Sequence, residues 1–285
     1  MGPLAVHRGL GHARGMQIVF DRRAVRRHRD RAAATVARVE PVLADAADRL
    51  LDRLDDTTQH FTTALDIGGR GVVAPLLRAR GIATTSCDLS SRMAALSPDP
   101  VVADEEFLPF ADASFDLVVA SLALHWVNDL PGALVLIRRA LKPGGLFLAS
   151  LPLLGTLGEL REALAAAETA LRDGITPRVS PFPALGDCAR LMQRAGFAVP
   201  VADSTDLRLL YADPLALLRE LRWAGEANAI AERERRIPPR ALFAAALAAL
   251  PRDEGRIVAS LRLGILTAWK PETDEPRFKW QRAAG

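Results

Sequence analysis

The chain has 285 residues and is 49% hydrophobic, enough for one large domain or a domain with a sizeable insertion. A net charge of +3 gives no argument for nucleic acid, and no stretch approaches 18 uncharged apolar residues, which excludes a membrane-spanning helix. The two cysteines, Cys87 and Cys188, are far apart in ordinary contexts, against a disulfide framework or zinc site and in keeping with a reducing compartment. Residues 1–15 read as a disordered tail. Residues 1–20 contain Arg8 and Arg14 but no acid, as in a transit peptide or in sequence upstream of a true start at Met16.

Residues 16–60 form a helical segment, rich in Ala, Arg and Leu over 25–54, with Pro41 as its break. Its basic run from Arg22 to Arg31 reads as a solvated helix face or a contact for an acidic partner. Strands and helices then alternate. Strands are expected at "TALDI" (63–67), within "GIATTSCDL" (81–89), and at "PVVAD" (100–104), "FDLVVASLAL" (115–124) and "LFLASL" (146–151). The fourth is apolar throughout, hence central in its sheet. Helices are expected at 72–80, 92–96 and 129–141, and "KPGG" reads as a turn. This alternation predicts an α/β doubly wound parallel sheet with right-handed crossovers. Further helices follow at 156–173 and 187–196, then strands at 197–203 and 206–211, completing a core over 61–211. Residues 212–252 read as a helical lid insertion, and 253–285 as a final strand (255–271) with a C-terminal tail.

In such a sheet ligands bind outside the C-terminal strand ends, at the switch in strand order. "ALDIGGRGVVAPLL" (64–77) lies there, with Asp66 followed by Gly68, Gly69 and Gly71. The turn serves either close approach to a cofactor or tight packing. Asp88, with Leu89 after it, ends the second strand and can accept from ribose hydroxyls; the alternative is an N-cap. Asp104 and Glu105 after the third strand can accept from an adenine amino group, and Leu122 follows the fourth. His125 and Trp126 stand at the mouth of the cleft, as base and substrate lid or as packing and capping residues of the next helix. Asn128 and Asp129 are capping candidates. Arg178 and, in "LRWAGEANAI", Arg222, Glu226 and Asn228 are polar residues in apolar segments. They are substrate contacts or solvated faces.

"DLS" (88–90), "LPFADASFDLVVASLALHW" (108–126) and "LKPGG" (141–145) resemble the class I S-adenosylmethionine-dependent methyltransferases, of the type 11 group. A narrower resemblance, to the respiratory complex I assembly factor 5 (arginine hydroxylase) family, spans roughly residues 16–271. It runs through "VFDRRAVRRHRDRAA", "HWVNDLPGALVLIRRALKPGG", "TPRVSPF", "LMQRAGFAVPVAD", "LRWAGEANAI" and "LTAWKP". That resemblance implies the Rossmann-like methyltransferase fold and S-adenosyl-L-methionine as cofactor. It also implies a protein substrate, an iron–sulfur subunit of complex I. A bacterial member would be cytoplasmic and a eukaryotic one would sit in the mitochondrial matrix. No nucleic acid is expected, and peripheral membrane association is left open. Against the family's D-x-G-C-G-x-G loop one residue is missing, which shortens the cradle for the methionine half of the cofactor.

Three readings follow: methyl transfer to a protein or carrier-bound group, protein-arginine hydroxylation, and a non-catalytic assembly factor. A related enzyme of biotin synthesis methylates malonyl-carrier protein. Hydroxylation lacks an evident metal site: of five histidines only His60 and His125 lie near the sheet.

Overall fold

The computed structural model describes residues 18–172 and 174–273. The expectations for the first 15 residues and for the C-terminal tail beyond 273 lie outside them.

An eight-stranded sheet carries the described residues, in the order β3-β2-β1-β4-β5-β8-β6 with β7 beside β8. β1 (Thr63–Ile67), β2 (Ala83–Asp88), β3 (Pro100–Val102), β4 (Phe115–Ser121) and β5 (Leu141–Pro152) run parallel. β6 (Ala198–Tyr211), the short β7 (Arg252–Asp253) and β8 (Arg256–Trp269) join antiparallel. The order reverses between β1 and β4, which places a crevice at their C-terminal ends. Two of the expected strands, 197–203 and 206–211, are one continuous β6. "KPGG" is the first part of β5, with Gly144 at φ 71°.

The helices are α1 (Arg22–Ala32), α2 (Glu40–Leu51), α3 (Val73–Ala79), α4 (Ser91–Ala94), α5 (Leu130–Ala140), α6 (Gly158–Leu171), α7 (Leu185–Arg194), α8 (Pro214–Trp223) and α9 (Arg240–Ala248). Pro41 starts α2 rather than breaking it: at the first turn its missing N–H is one that no helix would use. Asp129 caps α5 by accepting from Gly132 N at 2.9 Å. Asn128 caps nothing. Its Oδ1 accepts from Val19 N and Phe20 N and its Nδ2 donates to Phe20 O, tying down the segment ahead of α1.

Alternation along the central strands feeds two cores. Leu65, Ile67, Val118, Ala120, Phe147 and Ala149 pack under α5 and α7. Ala64, Leu117, Val119, Leu146 and Leu148 pack under α2 and α3. A third cluster joins α6, α8 and α9 to the far ends of β6 and β8. A fourth is small: Phe20, Ala24, Val25, Trp126 and Ala229, with Leu89 against it.

Candidate functional site

The turn after β1 is tight. Gly68 (φ 64°) donates its N–H to Cys87 O at 2.8 Å, and a Cβ built on it would stand 2.7 Å from the Ala123 Cβ. Only glycine fits that approach. Arg70, one residue before Gly71 (φ 80°), is itself left-handed (φ 51°) and buried. Its Nη1 donates to Leu122 O at 3.0 Å and its Nη2 pairs with Glu226. Asp66 is fully buried, so its carboxyl is pushed up to about 7, against hydrogen bonds from Ser86 and the amides of Ala74 and Gly69.

The predicted nucleoside carboxylates do converge at the crevice, but they meet arginines of α1. Arg29 is 1% exposed. Its Nη1 lies 3.1 Å from Asp88 Oδ2 and 2.9 Å from Glu105 Oε1, and its Nη2 lies 3.4 Å from Ala123 O. The same Nη1 is 3.5 Å from where a Gly68 Cβ would be. Arg22 pairs with Asp104 at 2.5 Å and with Glu105, and donates to Trp126 O at 3.0 Å. The basic run is therefore a solvated face only in part: Arg23, Arg26, Arg27 and Arg31 are exposed, whereas Arg22 and Arg29 turn inward. Asp88 is not an N-cap. It accepts from Ser90 N, and Ser90 Oγ caps α4 through Met93 N. Burial raises the Asp88 carboxyl, and although burial also opposes the Glu105 charge, Arg29 and Arg22 hold Glu105 below its usual value.

Beyond this cluster lies a cavity of about 160 Å³, between the β4–α5 loop, α2 and the helices of the third cluster. Its wall is mostly aliphatic, with His125, Trp126, Arg70, Arg178, Glu220, Tyr211 and Glu226 at intervals. The loop after β4 turns sharply. Leu122 is left-handed (φ 50°) and donates to Ser150 O, and His125 and Trp126 follow on a single helical turn. Glu226 Oε2 lies 2.7 Å from His125 Nε2 and accepts from Trp126 Nε1 at 2.6 Å. A carboxylate only accepts, so His125 carries its proton on Nε2 and leaves Nδ1 as the basic nitrogen. Nδ1 is buried without a hydrogen-bond partner among the described residues. Burial opposes the Glu226 charge, yet His125 and Arg70 hold its carboxyl well below the usual range.

Three of the four substrate residues predicted from sequence, Arg178, Glu226 and Asn228, line this cavity, and each is engaged within the chain. Glu226 orients His125. Arg178, in the wall, is matched by Glu168 (2.5 Å) and Glu234 (3.0 Å). Asn228 donates to Pro177 O and accepts from Ile230 N. Arg222 is exposed and lines no part of the cavity. Trp126 is 3% exposed and packs edge-on against Phe20 at 5.2 Å, so it is wall rather than lid. Arg22, Arg29 and Arg70 were missed. The available signal was spacing: 22, 25, 29 and 32 share one helix face with the buried Val25 and Ala32.

Sheet order, glycine turn and acids at the ends of β2 and β3 define the class: a Rossmann-like α/β fold of the class I methyltransferases. YcgJ of Bacillus subtilis is similar in fold, with a TM-score of 0.54 and 16% identity over 80% of this chain and 99% of that one. A SAM-dependent methyltransferase of Thermotoga maritima gives a TM-score of 0.51 and 17% identity over 86% and 99%. The methyltransferase-domain family matches residues 65–149. Human arginine-hydroxylase NDUFAF5, mitochondrial, is 34% identical over 91% of this chain and 79% of its own length. The malonyl-acyl-carrier-protein O-methyltransferase of Xylella fastidiosa is 34% identical over 92% of each. The chain belongs to the S-adenosylmethionine-dependent methyltransferase family that holds both.

The family's cofactor does not fit the crevice in this arrangement. The carboxylates suited to its hydroxyl and amino donors are present, but one guanidinium already bridges Asp88 and Glu105, with Gly68 and Ala123 in contact.

Proposed function

We propose that the chain is a methyltransferase-fold enzyme that modifies a protein substrate, an arginine side chain of an iron–sulfur subunit, during assembly of respiratory complex I. The observation that carries this is the Glu226–His125 pair in the wall of an apolar cavity. A carboxylate fixing one imidazole nitrogen and leaving the other basic is the arrangement of a general base. The chemistry of the wall supports a cationic side chain over a malonyl carboxylate. Both arginines of the wall are matched, Arg70 by Glu226 and Arg178 by Glu168 and Glu234. Glu220, bonded to the Tyr211 hydroxyl at 2.8 Å, has no cationic partner among the described residues. The apolar walls would cover the methylene stem of an arginine. S-adenosylmethionine is the family's source of a methyl group, and its binding by this chain is part of the proposal.

The filled crevice favours a second reading, a non-catalytic factor that binds a respiratory subunit. The two are separated by the intact mass of the iron–sulfur subunit in cells carrying the wild-type chain, His125→Ala, or none. Catalysis predicts an arginine bearing an added methyl or oxygen with the wild type alone. A complex I assembled normally around an unmodified subunit would sink the catalytic reading and leave the binding one.

A further inference from the structure

We propose that α1 is a gate on the cofactor crevice: Arg29 and a nucleoside ligand compete for the same carboxylates, and α1 must withdraw for the ligand to enter. The inference rests on the reading that this chain binds S-adenosylmethionine. One guanidinium reaches every strand end that such a ligand would use. It lies beside Gly68 after β1, on Asp88 at the end of β2, on Glu105 after β3 and near Ala123 after β4. Arg22, about two turns earlier on the same helix, secures it to Asp104 and Glu105. Ligand and Arg29 cannot both be seated.

What makes withdrawal feasible is how α1 is held. Its buried face is small in apolar terms, with Ala24, Val25 and Ala32, and large in charge. Buried ion pairs roughly break even against hydration, provided that neither partner is left alone. A ligand with hydroxyl and amino donors and a positive sulfonium supplies Asp88 and Glu105 with new partners, while Arg29 regains water. The helix therefore exchanges one set of partners for another. The residues ahead of α1 stay anchored by Asn128 and by the Phe20–Ile230 bridge, so the exchange is a movement of the helix and not loss of the segment.

The experiment is hydrogen exchange on the full chain with and without S-adenosylmethionine, beside calorimetric titration of the wild type and Arg29→Met. The gate predicts that ligand speeds exchange of the amides of residues 22–32 severalfold, and that Arg29→Met binds at least tenfold more tightly. Should Arg29→Met not fold, Arg29→Lys, too short to span both carboxylates, should shift affinity the same way by less. If the wild type binds while those amides slow or stay unchanged, α1 closes over the ligand and the gate is wrong although the cofactor reading stands. If neither folded protein binds at any concentration, the cofactor reading itself has failed.

Discussion

Arg70 shows how much one loop residue can organise. Its side chain is 2% exposed and its charge is met by Glu226, which also holds His125 and Trp126. Truncating Glu226 to Ala leaves that guanidinium buried and alone, a loss of about 3–5 kcal/mol. Urea unfolding should record it, and pairing the change with Arg70→Met should recover most of it because no lone charge remains. Asp66 gives a pH signature. Its folded value of about 7 lies above its unfolded value near 4, so its stabilising share is complete below pH 4 and is lost as pH rises to about 7. Asp66→Asn removes this dependence. Relative to that variant the wild type should lose up to about 4 kcal/mol between pH 4 and pH 8, at about 1.4 kcal/mol per unit. Equal stability differences at both pH values would contradict the assignment.

At the scale of elements, the glycine turn is fixed by contact with the next loop. A Gly68→Ala change places a Cβ within 2.7 Å of Ala123 and strains a left-handed backbone. A loss of about 1–3 kcal/mol is expected, read as a lower melting temperature. β1 and β4 were legible because burial on both faces makes each a short apolar run, the first closed by Asp66 and its glycine turn. β6 was not legible as one strand, because polar Ser204 and Thr205 interrupt its apolar alternation just where it pairs with Gly264 and Leu263. The carboxylates at the ends of β2 and β3 were legible by position. The partners that occupy them were not: an arginine reads as solvated until a carboxylate distant in sequence is brought to it, and Arg29 and Glu105 stand 76 residues apart. Glu226 was found as a polar residue of the site, but its link to His125 was not legible for the same reason, since it spans 101 residues.

Taken whole, the molecule pairs a parallel sheet with a long antiparallel ribbon of β6 and β8 that carries the third helical cluster. β6 is the outer strand of that ribbon, with Val199 and Val201 exposed. Pro200 and the charged Asp203 and Asp206 keep this edge from pairing with another chain. Replacing both acids by valine should raise light scattering at concentrations where the wild type stays clear. The filled crevice has a wider meaning for handling the protein. Because Arg29 and Arg22 meet the carboxylates themselves, the ligand-free form leaves neither Asp88 nor Glu105 without a cation and keeps its shape without cofactor. Affinity is then scaled by how often the helix stands aside: a form open one time in a hundred weakens apparent binding about a hundredfold. A melting-temperature screen would accordingly understate this site, and a weak result from one would measure the helix rather than the pocket.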